Sequence, residues 1–158
     1  MLFLKFLFAF IVGTQFTLYA QTIDFNQIVK ENETHKRPMM VFFHTDHCPY
    51  CKKMITEEFD NPNIKKFIDK EFYFIDINVD SKTKIIYKDF KGTADQFGDL
   101  LEVRFYPTIM FMDNNVIVSN IKGYRNPTKF NVIMKYIATK SFESMDLETF
   151  INELEMKD

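Results

Sequence analysis

The stretch MMVFFHTDHCPYCKKM, Met39 to Met54, holds both cysteines of the chain, Cys48 and Cys51. It opens with a continuous apolar run, MMVFFH. A run of that length without polar alternation predicts a strand buried on both faces. A short turn follows. From Pro49 onward the residues are good helix formers, and proline suits the first helical position, where its missing N–H has no partner to lose. The two cysteines therefore sit where a buried strand turns into a helix. Three explanations compete for them: a metal clamp, a structural staple or a reversible redox couple.

A disulfide between residues three positions apart closes a very small loop. It removes little entropy from the unfolded chain, so it makes a poor staple. Redox chemistry gains more from this position. The first turn of a helix leaves backbone N–H groups unpaired and presents the positive end of the helix dipole. A thiolate on Cys48 is stabilised there, which lowers its pKa and raises its reactivity at neutral pH. Cys51, one turn later, can reach Cys48 but is more enclosed. Cys48 is thus the expected attacking thiol, and Cys51 the thiol that resolves the mixed disulfide. A Cys-X-X-Cys between a buried strand and a helix is a strong signal for such a couple.

Outward from this centre the chain alternates strands and helices. Before it, Phe25, Ile28 and Val29 share one side of a weak helical pattern that ends in the polar run ENETHKR. After it, Asn61-Pro62-Asn63 breaks the cysteine helix, IKKFIDKEF reads as a second helical piece, and FYFIDINVD reads as a strand. SKTKIIYKDFKGT is less regular, either a small hairpin or an insertion. ADQFGDLLEVR predicts a helix with Phe97, Leu100, Leu101 and Val103 turned inward. YPTIMFMDNNVIVSNIKGY gives two strands joined at Asp113-Asn114-Asn115, a good hairpin turn. Asn126-Pro127 starts a helix through about Ala138. A last amphipathic helix, about residues 146–156, carries Leu147, Phe150, Ile151 and Leu154 on one face and is expected to pack on the domain. A strand–helix–strand half followed by a hairpin–helix half predicts an α/β domain, a central mixed sheet flanked by helices.

The totals fit one such domain. At 158 residues the chain is too short for two of ordinary size. A net charge of -2 leaves no basic footprint, so no nucleic-acid partner is expected. Residues 1–20 differ from the rest: one early lysine, Lys5, an apolar run from Phe6 to Val12, then small and polar residues to Ala20. This is the layout of a signal peptide cleaved before Gln21, with an uncleaved membrane anchor as the alternative. Either way residues 21–158 form a domain outside the cytoplasm, periplasmic or otherwise secreted. No cysteine follows the apolar run, so lipid attachment at a new N-terminal cysteine is excluded.

VFFHTDHCPYCKKM, the strand ending INVD, and VRFYPTIMFMDNN followed by IKGY together resemble the thioredoxin superfamily over about residues 38–138. FFHTDHCPYCKKMITEEFDNP is most similar to extracytoplasmic thioredoxin-related proteins of the SoxW type and to the C-terminal domain of the thiol-reductant transporter DsbD. The resemblance implies a thioredoxin fold and a cis Tyr106–Pro107 bond. It also implies that Pro107 and Thr108 face the cysteine pair, and that Pro49, Tyr50, Tyr106 and Thr108 help bind substrate. There are departures. Many thioredoxins carry a buried acid six residues before the first cysteine, and Phe42 stands there. The intervening Pro49-Tyr50 is the pair typical of glutaredoxins. Asp46, Lys52 and Lys53 are nearby charges read as surface residues. His47 is a candidate for tuning the thiolate, while His44 reads as a strand-end residue and His35 as a solvated loop residue.

Two other classes are open. His44, His47, Cys48 and Cys51 form a compressed two-His, two-Cys zinc set, and the two thiols with Met54 form a Cu(I) set. Covalent haem is not supported, because Lys52 stands where that pattern needs histidine. A binding module with an idle couple is the other. The expectation is an extracytoplasmic thiol–disulfide oxidoreductase, leaning towards a reductase of client protein disulfides, with disulfide oxidase or isomerase as the alternative. It needs no cofactor beyond the Cys48–Cys51 disulfide. With no flavin or nicotinamide motif present, electrons are expected from a membrane or soluble thiol donor.

Overall fold

The computed structural model describes residues 21–156, so the expected signal segment lies outside the described residues. In chain order the elements are β1 (Thr22–Asp24), α1 (Phe25–Asn32), β2 (Met39–His44), α2 (Pro49–Met54), α3 (Pro62–Glu71) and β3 (Tyr73–Asn78). Then come β4 (Lys84–Tyr87), β5 (Phe90–Thr93), α4 (Ala94–Leu100), β6 (Thr108–Asp113), β7 (Val116–Lys122), α5 (Pro127–Ala138) and α6 (Leu147–Glu155). Among the described residues no helix is long and apolar enough to cross a membrane.

The apolar run of residues 39–43 is central because both of its faces are covered. β2 lies inside a four-stranded sheet of order β3-β2-β6-β7, parallel to β3 and antiparallel to β6. Side chains alternate across a strand. Met39, Val41 and Phe43 therefore enter one core, with Phe25 from α1 and Phe97 from α4. Met40 and Phe42 enter the other, with Cys51 and Met54 from α2, Ile64 and Ile68 from α3, and Phe130, Met134 and Ile137 from α5. Helices cover both faces of a mixed sheet, as the element order predicts.

The sheet is not the whole strand content. β1, β4 and β5 form a second, three-stranded sheet, with β1 parallel and β5 antiparallel to β4. The irregular stretch SKTKIIYKDFKGT is thus a hairpin, and its partner is a three-residue strand just before α1. Ile85 and Tyr87 of β4 are buried in the α1/α4 core. Tyr87 meets Phe25 and Phe97 with ring centroids at 5.7 and 5.4 Å, within the range of favourable aromatic contacts. The hairpin is therefore part of the core wall.

Helix starts follow their caps. Asp24, Asn61, Asn126 and Asp146 each accept first-turn N–H groups at the starts of α1, α3, α5 and α6. The β6–β7 turn places Asn114 and Asn115 at φ 47° and 62°, the two left-handed positions a two-residue hairpin demands and asparagine tolerates. One helix departs from expectation. α4 stops at Leu100, and Glu102 turns the chain through φ 56°. Phe97 and Val103 are buried as expected, but Leu100 is 49% exposed. At the start of α6, Leu147 and Phe150 pack against the second core, so this helix docks on the domain.

Candidate active site at Cys48 and Cys51

Cys48 and Cys51 are joined as a disulfide. Cys48 is the N-cap of α2, and its Sγ accepts the backbone N–H of Cys51 at 3.0 Å. An N–H aimed at that sulfur is the donor that would stabilise negative charge on it after reduction. Burial separates the two sulfurs' residues: Cys51 is 1% exposed and packed in the second core, while Cys48 is only half-buried. An incoming group reaches Cys48 first. A thiol that is accessible and N–H-supported, backed by one that is enclosed, is suited to attack and then resolution.

Register brings a second segment to the same end of the sheet. Phe43, at the end of β2, pairs with Thr108 at the start of β6, so Pro107 lies beside the exit of the strand that leads to Cys48. The Tyr106–Pro107 bond is cis, as the resemblance implies. Pro107 is buried and its carbonyl accepts the Gly123 N–H at 2.7 Å. Thr108 is buried, and its hydroxyl donates to the Phe105 carbonyl at 2.7 Å, which ties the turn to the strand. Tyr106 packs against both cores, and burial, followed by Asp99 and Asp80, raises its phenol above the ordinary range. Pro49 is exposed at the helix start. Two aromatic rings remain open to solvent on the segments flanking the sulfurs: Tyr50 at 63% and Phe105 at 62% exposure.

The family model for a thioredoxin-like domain matches residues 25–138. The chain belongs to the thioredoxin-like domain family. A thioredoxin-like domain carrying a Cys-X-X-Cys active-site disulfide has the constitution of a thiol–disulfide oxidoreductase. Solved structures agree on the fold at low identity. A thioredoxin-fold protein from Helicobacter pylori superposes with TM-score 0.63 at 18% identity, over 77% of this chain and 82% of its own. A thioredoxin from Thermus thermophilus gives 0.58 at 20% identity, over 77% and 88%. A protein described as DsbH oxidoreductase gives 0.55 at 15% identity, over 77% and 85%. Among curated protein sequences, none matches.

Within this thioredoxin-like site the ionisable groups are distributed in a way the sequence reading left incomplete. Phe42 is buried and sits between the rings of His44 and Phe59, at 5.1 and 4.8 Å. The strand position that often holds an acid is therefore part of an aromatic stack. His47, the candidate tuning residue, is exposed, as are Asp46, Lys52 and Lys53. His44 is more than a strand-end residue. Its Nε2 lies 2.8 Å from Asp76 Oδ1 on β3, in ion-pair contact though off the line of a hydrogen bond. Asp76 raises the His44 pKa above its ordinary value, against the opposing effect of burial. Among the described residues no group of three or more His, Cys, Asp or Glu side chains is arranged to hold a metal ion.

Glu58 is the residue that sequence reasoning missed. Beyond α2 the helix widens into a π-turn, Ile55–Phe59, marked by the Asp60 N–H donating to the Ile55 carbonyl at 2.8 Å. Glu58 lies in that turn, 0% exposed, with neither carboxylate oxygen hydrogen-bonded. Burial, and secondarily the neighbouring Glu57, pushes its carboxyl up to about 7. A signal was available. Positions 51, 54, 55 and 58 form an i, i+3, i+4, i+7 stripe whose first three members are Cys, Met and Ile. A glutamate as the fourth is the anomaly.

Proposed function

We propose that this protein is an extracytoplasmic thiol–disulfide oxidoreductase of the SoxW- or DsbD-C-terminal-domain-like type, acting as a reductase of client protein disulfides. The observation that carries the reading is the asymmetry of the pair. Cys48 is accessible, held at a helix start with an N–H on its sulfur, and Cys51 is buried behind it. In the reduced protein Cys48 attacks a client disulfide, forming a mixed disulfide and releasing a client thiol. Cys51 then attacks Cys48, restoring the Cys48–Cys51 bond and freeing the second client thiol. Tyr50 and Phe105 offer apolar surface to the residues around the client cysteine, and Pro49, Tyr106, Pro107 and Thr108 shape the adjoining backbone surface. A membrane or soluble thiol donor supplies the electrons for the next cycle.

The periplasmic or otherwise extracytoplasmic placement rests on the charge and hydropathy layout of residues 1–20. The reductase direction rests on resemblance to the SoxW and DsbD branch. The test is the reduction potential of Cys48–Cys51 in the full chain. The reference scale runs from about -270 mV for a reducing dithiol to about -120 mV for a strong oxidant. A value near the lower end supports electron donation to clients. A value near the upper end overturns the reductase reading in favour of disulfide introduction, and absence of a reversible couple overturns the class.

A further inference from the structure

A fully buried carboxyl with no hydrogen-bond partner departs from the ordinary satisfaction of polar groups in protein interiors. Glu58 is such a group, and its position is specific. It follows Cys51 by seven residues on the buried face of one continuous helical run, with buried Met54 between them. A rise of about 1.5 Å per residue sets the two Cα atoms roughly 10 Å apart along the axis. Helical side chains lean in general towards the helix N-terminus, which here is the end that carries the disulfide. The π-turn lies on this stretch, and single π-turns inside helices recur at functional sites. The strand position where an acid is absent, Phe42, packs against Phe59, the residue next to Glu58.

Resting on the redox reading above, we propose that Glu58 is the proton-storing partner of the Cys48–Cys51 couple, a positioning residue that takes up a proton when the disulfide is reduced and releases it on reoxidation. The step balances. A partner dithiol passes two electrons to the pair; its own S–S bond forms as the Cys48–Cys51 bond breaks. Of its two thiol protons, one ends on Cys51 and the other on the Glu58 carboxylate, while Cys48 remains a thiolate. In the reverse direction the Cys48 thiolate attacks the client disulfide, Cys51 loses its proton as it attacks Cys48, and Glu58 returns its own.

The driving force is electrostatic. A new negative charge on Cys48 or Cys51 disfavours ionised Glu58. With Cys51 protonated the charge sits on Cys48, ten residues before Glu58 and about 15 Å away by the same rise, and at an effective dielectric near 20 the interaction corresponds to about 0.8 of a pH unit. The charged groups on the elements packed against this turn are paired with one another: on α3, Lys65 holds Asp69 at 2.9 Å. Tyr124, from the segment after β7, donates its hydroxyl to Glu57, and Lys53 lies over the Tyr124 ring at 4.5 Å. Glu58 is left without a counter-charge. Because burial already holds its carboxyl near 7 in the disulfide form, the added displacement on reduction falls across neutral pH.

The direct test is a carbon-13 carboxyl titration of the full chain, labelled at glutamate, in the oxidised and the reduced state. Glu58→Gln and sequential assignment identify the resonance and separate it from His44. The expected result is a midpoint near neutrality that rises by about 0.8 of a pH unit on reduction. An unchanged midpoint overturns the proposal, and this measurement on the wild-type chain stands even if the variant folds poorly. The second readout is the pH dependence of the reduction potential. Between the two midpoints the wild type should take up two protons per electron pair and Glu58→Gln one; equal slopes also overturn it. A chain with no reversible couple would defeat the redox reading itself, whereas a working couple with a redox-insensitive Glu58 defeats only this role.

Discussion

Replacing Glu58 by glutamine removes one ionisable group from the interior and keeps its shape. The unfolded chain releases this proton near the ordinary value of 4.5, while the folded chain holds it to about 7. The folded state therefore binds more protons across that window, and stability falls as pH rises through it. Each pH unit of displacement is worth about 1.4 kcal/mol, so wild-type stability should lose roughly 3 kcal/mol between pH 4 and pH 8 from this group. Glu58→Gln lacks that loss. Comparing the two proteins at both pH values cancels the fixed cost of burying an amide, and it cancels His44, which is present in both. Stability from the His44–Asp76 contact has the same sign: a raised histidine pKa stabilises at low pH and loses that contribution as pH climbs through the raised value. Urea unfolding followed by circular dichroism is the assay. Glu58→Gln should gain about 3 kcal/mol on wild type in going from pH 4 to pH 8, a relative gain in Tm of roughly 6–12 °C for a chain of this size. A stability difference that stays constant with pH would show that Glu58 ionises normally and would refute the reasoning.

Other outcomes follow from particular contacts. Cys51→Ser should accumulate mixed disulfides through Cys48 that are visible on non-reducing gels, whereas Cys48→Ser should accumulate none; equal trapping by both would refute the assigned order of attack. Asp76→Asn should bring the His44 pKa down towards its ordinary value, measured by imidazole proton NMR, because the Asp76 contact is the largest influence raising it. Phe97 meets Phe25, Phe43, Tyr87 and Phe90 with ring centroids between 5.1 and 5.9 Å. Phe97→Ala should therefore cost about 3–5 kcal/mol in urea unfolding, and a loss below about 1 kcal/mol would show that the α1/α4 core is loosely packed.

The parts of the fold that were legible in the sequence are those whose local pattern and tertiary role coincide. Met39–Phe43 reads as a doubly buried strand because it is apolar at every position, and it is covered on both faces. Asn114 and Asn115 read as a hairpin turn because their own backbone preference makes one. The second sheet was not legible as such. β1 has only three residues, and its partner β4 lies 62 positions away at Thr22 and Lys84, so no local periodicity reports the pairing. Leu100 misled for the complementary reason: it continues an apolar helical pattern, but the helix ends there and Glu102 redirects the chain.

The site divides along the same line. The sulfur pair is a local motif and could be read as one, and the cis Tyr106–Pro107 bond followed from the resemblance, whereas the site's ionisable groups depend on what faces them. His44 gains its character from Asp76, which is 32 residues away on the neighbouring strand. Phe42 and Glu58 pose the sharper case, because each sits where the other's chemistry was expected. An aromatic residue fills the strand position and is held between His44 and Phe59. An acid placed at 42 would have to displace that stack, and a carboxylate cannot replace aromatic packing. The helix beyond Cys51 lets its apolar stripe end in a widened turn, and a glutamate there enters the interior. The interior of this thioredoxin-like domain thus contains its acid on the helix that carries the resolving cysteine. That location ties the proton directly to the redox state of its own helix.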